Sequence, residues 1–141
     1  MTEVTRLILV RHGETAWNNS ARFQGHLDSP LTGIGVAQAK ALGARLKREP
    51  ISTVYSSDLG RAMHTTRCIT EQTGHAIVSD PRLRERGLGV FEGLHKSEVT
   101  QRYPAEAERY YSRDPHFVVP GGESAQEHFE NALAALNELA A

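Results

Sequence analysis

Arg11 and His12 leave the apolar run Leu7-Ile8-Leu9-Val10 together and enter Gly13, a residue that lets the backbone come close to a ligand. Arg61 follows a second short apolar run, in the first turn of a helix expected to open near Ser57, and Glu85 follows a third run. Two arginines, an imidazole and a carboxyl group suit phosphoryl transfer without a metal. Arginine forks hold the equatorial oxygens, the imidazole attacks phosphorus, and the carboxyl group moves protons. Residue types and order alone leave blander readings open. His12 is then a polar loop residue, Arg61 a partner of Asp58, and Glu85 a surface charge paired with Arg84 or Arg86.

For these groups to meet, the elements that carry them must end at one edge of a sheet. Leu7 to Val10 reads as a strand buried on both faces. Thr32 is suited to cap a helix running to about Glu49, with Val36, Ala39, Leu42 and Leu46 at helical spacing and Pro50 as its stop. Thr53-Val54-Tyr55 reads as a second strand, and Ser57 or Asp58 as the cap of a helix that reaches about Thr73, closed by Gly74. Ala76-Ile77-Val78 is a third strand, followed by a glycine-rich loop. Helical turns are expected over Ser97–Tyr103 and Ala105–Ser112, on either side of Pro104. Ser124 to Glu127 is a capping box opening a last helix with Phe129, Leu133 and Leu136 on one face. Alternating strands and helices imply an α/β domain with parallel pairing, and ligands of such sheets bind beyond the carboxyl ends of the strands.

Composition sets the frame. The 141 residues suit one domain, and a net charge of -1 with 23% charged residues suggests neither nucleic acid nor a membrane surface. Lys40, Lys47 and Lys96 are the only lysines; every other basic residue is arginine, which favours bidentate oxyanion contacts but also follows from nucleotide composition. Cys68 stands alone, so neither a disulfide framework nor a zinc pair is expected, and no stretch is long and apolar enough to span a bilayer. The expected location is the cytoplasm.

An ordered series of motifs now adds to this. Arg11-His12-Gly13-Glu14-Thr15-Ala16-Trp17-Asn18 resembles the RHGET-x-WN signature of the phosphoglycerate mutase-like superfamily, the histidine phosphatases. The likeness continues through Arg22-Phe23-Gln24-Gly25, Asp28 to Thr32, Gly35, Ser56 to Ala62 with Thr65 or Thr66 beyond, Leu83-Arg84-Glu85, Gly89 to Gly93 and Pro120 to Ser124. It implies a three-layer α/β/α sandwich with a mainly parallel sheet. It implies that His12 becomes a phosphohistidine, that Arg11 and Arg61 form the phosphate pocket, and that Asn18, Gln24 and Gly25 line the entrance and touch substrate. Glu85 would protonate the leaving oxygen and then help to activate water. No cofactor and no metal are implied, and the partner is a small phosphorylated metabolite. Trp17 is expected to pack beneath the loop, and Glu92 to belong to a structural turn.

The sequence departs from the family pattern in one respect. The family carries a second histidine in a Thr/Ser-His-Gly turn after a strand that follows the last helix found here, and no His-Gly pair occurs after Gly13. The expectation is therefore a single domain over residues 1–141 that lacks its C-terminal strand and helices. A fragment, completion of the sheet by a homodimer or an exchanged element, and a phosphate-binding protein impaired in turnover all fit that pattern. Within the family, Glu85-Arg86 matches the cofactor-dependent mutases, whose next residues His-Tyr-Gly are Gly87-Leu88-Gly89 here. Phe91-Glu92-Gly93 is closer to the smaller phosphatases. The expected activity is phosphomonoester hydrolysis, with phosphoglycerate mutase as the alternative.

Overall fold

A computed structural model describes residues 3–141. Its sheet consists of two parallel strands, β1 (Val54–Ser56) and β2 (Ile77–Ser79), with Tyr55 opposite Val78. A one-turn helix α1 (Ala16–Asn19) and a long helix α2 (Gly33–Leu46) precede β1. Helix α3 (Gly60–Thr73) connects the strands, and α4 (Lys96–Arg102), α5 (Pro104–Tyr111) and α6 (Ala125–Ala140) follow β2. This is the α/β class that the alternating pattern implied.

Local signals explain most boundaries. The Thr32 hydroxyl accepts the Gly35 N–H to start α2, and Gly74, at φ +80°, ends α3 in the left-handed conformation. Pro104 opens α5, where its missing N–H costs nothing. Ser124 and Glu127 form the expected capping box at α6. Helices α2 and α3 pack closely because Gly43 has no side chain: a Cβ there would press on the Ile69 backbone and the Gln72 side chain. Gln72 Nε2 then donates to the Lys40 carbonyl at 2.7 Å across the same seam.

The main apolar cluster lies in the loop-rich half of the chain, where Phe23, Leu88, Phe91, Val99, Ala107, Phe117 and Val119 are buried. Phe23 and Phe91 meet at a tilt, 5.5 Å between ring centroids, and Tyr110 meets both rings edge-on. The core thus ties the loop after His12 to the loop after β2 and to α4 and α5.

Several expectations are corrected. Leu7 to Val10 form no ladder and are exposed, Leu9 at 74%. A strand needs a hydrogen-bonded neighbour, and none of the described residues supplies one. Ser57 and Asp58 do not cap α3: Leu59 occupies the N-cap position, the Ser57 hydroxyl only accepts the Leu59 N–H, and Asp58 is drawn away to Arg84. Helix α2 buries Gly35, Ala39, Gly43 and Leu46 but leaves Val36 and Leu42 half-buried, because the glycines set the close-contact face. On α6, Phe129 and Leu133 are exposed and only Ala135 is buried, so its apolar stripe faces away from the described core.

Candidate active site

His12 sits in a loop shaped by two glycines. Gly13 and Gly35 approach so closely that a Cβ on Gly13 would collide with the Gly35 carbonyl, and one on Gly35 with the Glu14 backbone. The loop is therefore laid against the N-terminus of α2. Thr32 N–H donates to the Glu14 carbonyl at 2.9 Å, the Thr32 hydroxyl to the Glu14 carboxylate at 2.7 Å, and Glu14 N–H to Gln38 at 2.9 Å. On the other side, Gly13 N–H donates to the buried Thr65 hydroxyl at 3.0 Å.

The half-buried His12 ring has its Nδ1 at 2.8 Å from the Gly13 carbonyl. A carbonyl can only accept, so Nδ1 carries the proton and Nε2 keeps its lone pair. Burial is the largest influence on the ring and lowers its pKa below 6.5. The Gly13 hydrogen bond opposes this, the charges of Arg61 and Arg11 lower it further, and the charge of Glu85 raises it. Neutral imidazole with a free Nε2 is a nucleophile, and the two cations beside it supply a field that attracts an anion.

Arg61 is 2% exposed. Its Nη1 donates to the Leu27 carbonyl at 2.5 Å and to Asp28 Oδ1 at 3.2 Å, and its Nη2 to the Gly25 carbonyl at 2.7 Å. Its partner is Asp28 and not Asp58. Arg11 is exposed, and it forms no ion pair among the described residues. Glu85 is exposed too. Among the described residues, its carboxylate accepts only the next backbone N–H, from Arg86 at 2.9 Å. The two neighbours that might have neutralised it are engaged elsewhere: Arg84 forms a fork on Asp58, and Arg86 donates to the Glu123 and Phe117 carbonyls. Arg61, Arg11 and Glu85 all lie within electrostatic reach of the His12 ring.

The three entrance residues form a framework of their own. Asn18 Oδ1 accepts the Thr15 N–H at 3.0 Å, closing a capping box on α1. Gln24 is 8% exposed, and its Oε1 accepts from the Thr15 hydroxyl at 2.8 Å and the Ser29 hydroxyl at 3.0 Å. Gly25, at φ +54°, lends its carbonyl to Arg61 and lies so close to the Glu92 carboxylate that a Cβ would clash. Glu92 in turn accepts from His26 N–H and Leu88 N–H at 2.9 Å, joining this loop to the one beyond Glu85. The half-buried Trp17 indole lies next to Gly93, where an added Cβ would meet its ring at 3.5 Å. The carbonyl ends of Asn18 and Gln24 are thus committed to the scaffold.

A cleft of about 390 Å³ opens beside Arg86, lined also by Tyr110, Tyr111, Arg113, Asp114 and Phe117. The Arg86 guanidinium lies 5.6 Å from the Tyr110 ring, and Glu85 and Arg86 both act electrostatically on the Tyr110 hydroxyl. Arg86, which lines the cleft, is the residue next to Glu85 in the chain. Among the described residues, no group of three or more His, Cys, Asp or Glu side chains is placed to hold a metal, and no helix is long and apolar enough to cross a membrane.

Sequence reasoning gave Thr65 no role. Its hydroxyl accepts from Gly13 N–H and donates to the Arg61 carbonyl at 2.8 Å. The available signal was its spacing: a polar residue four positions after Arg61, on the helix face that also buries Cys68 and Ile69.

Comparison with known proteins places this geometry in context. The family described as the histidine phosphatase superfamily (branch 1) matches residues 7–141. The probable phosphoglycerate mutase GpmB of Klebsiella pneumoniae is 40% identical over 131 residues, 93% of this chain. The chain spans 61% of that relative's length. A mycobacterial glucosyl-3-phosphoglycerate phosphatase, solved in complex with VO3, superposes with a TM-score of 0.88 at 34% identity, covering 96% of this chain and 67% of that one. The alpha-ribazole phosphatase of Shigella flexneri superposes with a TM-score of 0.85 at 28% identity, covering 92% and 64% of the two chains. The three-layer α/β fold implied by the motifs is the fold of these neighbours.

Proposed function

The chain belongs to the histidine phosphatase superfamily, and from that premise we propose that its parent protein hydrolyses a small phosphorylated metabolite through a phosphohistidine at His12. One observation carries the reading: a half-buried imidazole with Nδ1 held by the Gly13 carbonyl, leaving Nε2 free in the field of Arg61 and Arg11.

In this scheme Arg11 and Arg61 hold the phosphate oxygens, with Asn18, Gln24 and Gly25 at the entrance. Nε2 of His12 attacks phosphorus, and the bond from phosphorus to the alcohol oxygen breaks. Glu85 gives that oxygen its proton, and the alcohol leaves. The Glu85 carboxylate then takes a proton from water as the water oxygen attacks phosphorus, the N–P bond breaks, and phosphate departs. The alcohol part of the substrate extends into the cleft by Arg86 and Tyr110, next to the proton donor. The reaction needs no metal and takes place in the cytoplasm.

In the same reading, the 141 residues supply the phosphate-gripping part of one histidine phosphatase domain. The likeness to a probable phosphoglycerate mutase supports a second reading, in which His12 returns its phosphoryl group to another hydroxyl and not to water. Product analysis separates the two. Steady release of inorganic phosphate from 2- and 3-phosphoglycerate and simple phosphomonoesters supports hydrolysis; interconversion of the phosphoglycerates with little phosphate released overturns it in favour of the mutase.

A further inference from the structure

We infer that Asp28 is a positioning residue that fixes the phosphate-gripping arginine, Arg61, by binding its side chain and its backbone at once. The inference rests on the reading of Arg61 as a phosphate ligand. Oδ1 of Asp28 accepts Arg61 Nη1 at 3.2 Å and the Arg61 main-chain N–H at 3.1 Å. Since Leu59 gives α3 no side-chain cap, Asp28 supplies the acceptor at that helix N-terminus from a loop 33 residues earlier. Gly60 makes the approach feasible: a Cβ there would collide with Asp28 Oδ2.

The donors of Arg61 explain why such a clamp matters. Nη1 spends both hydrogens on the Leu27 carbonyl and Asp28, and Nη2 spends one on the Gly25 carbonyl. Nε–H and the second Nη2 hydrogen remain for a phosphate oxygen pair. Their direction depends on the loop that carries the Leu27 and Gly25 carbonyls, and Asp28 is the residue that ties this loop to the α3 backbone as well as to the guanidinium. Losing that tie removes the fixed point that keeps those carbonyls in register with the guanidinium.

The test uses the full-length protein, inorganic phosphate and vanadate binding, and a thermal melt for each variant. Asp28→Ala should weaken phosphate binding about tenfold or more, the size expected for losing a charge-assisted hydrogen bond. Asp28→Asn keeps an acceptor oxygen in place and should remain within about threefold of the parent. Asp28→Glu keeps the charge but displaces the oxygens against Gly60, and should lose binding as Asp28→Ala does. In an Arg61→Ala background, Asp28→Ala should cost nothing further. Full binding in both Asp28→Ala and Asp28→Glu, or an equal loss in the Arg61→Ala background, would overturn the inference. Unchanged binding in Arg61→Ala alone would instead overturn the reading of Arg61 on which it rests.

Discussion

The Thr65 hydroxyl lies 3.0 Å from Gly13 N and accepts its proton, while donating its own to the carbonyl of Arg61. One buried side chain therefore sets the distance between the loop of the candidate nucleophile and the helix of the candidate phosphate arginine. Thr65→Val has nearly the same shape but leaves the buried Gly13 N–H without a partner, which costs roughly 1–3 kcal/mol. We expect a lowered melting temperature together with a fall in kcat, both recovered by Thr65→Ser. Wild-type turnover in Thr65→Val would mean that this bond does not position His12.

The same loop should resist crowding at Gly35. A methyl group there meets the Glu14 backbone, which cannot swing aside as a side chain can. Gly35→Ala should destabilise the protein by about 1–3 kcal/mol, as overpacking does. Gly33→Ala is its control on the same helix, since a Cβ at Gly33 meets nothing within 4 Å. Equal melting temperatures for the two variants would show that the close approach of Glu14 to α2 is relaxed in solution.

The pH dependence follows from His12. Its pKa lies below 6.5, chiefly through burial, and the attacking form is neutral. The acid limb of kcat/KM should therefore lie below pH 6.5, with activity rising as pH rises through it. Arg61→Ala removes a charge that lowers the pKa and should raise it; Glu85→Gln removes one that raises the pKa and should lower it. Titration of the His12 ring by NMR reads both shifts. Stability carries the matching sign: as pH falls from 6.5 to the folded pKa, the unfolded chain binds the proton first, and stability declines over that window.

Glu85 is the group whose role depends on the substrate. Glu85→Gln should slow alkyl phosphates at least tenfold more than p-nitrophenyl phosphate, whose leaving oxygen needs little protonation. Equal losses on both would point to positioning and not proton transfer.

The motif order singled out His12, Arg11, Arg61 and Glu85, and in the structure the charges of the last three act on the His12 ring, although the run before Arg11 is not a strand. Caps with a short side chain beside an apolar helix, such as Thr32 and Ser124, were legible too, because their bonds are local. What escaped were bonds between distant segments. Asp28 caps α3 across 33 residues, and Arg84 takes Asp58 away from the position where local chemistry would have put it. Glycine contacts were equally hidden: α2 turns Gly35 and Gly43 inward because α3 and the His12 loop approach there, which no periodicity of apolar residues encodes. Leu7 to Val10 read as a buried strand because four apolar residues in a row have that look; pairing is a property of neighbours, and the described residues provide none.

The central claim is that His12 carries the phosphoryl group, and trapping that intermediate tests it most directly. The full-length protein is mixed with p-nitrophenyl phosphate, quenched within milliseconds in base to preserve phosphoramidate bonds, and mapped by mass spectrometry. The account predicts one added phosphoryl group, on the peptide containing Arg11-His12-Gly13 and localised to His12, and no label in His12→Ala. A phosphoryl group on a serine, threonine or carboxylate, or turnover retained in His12→Ala, would contradict it.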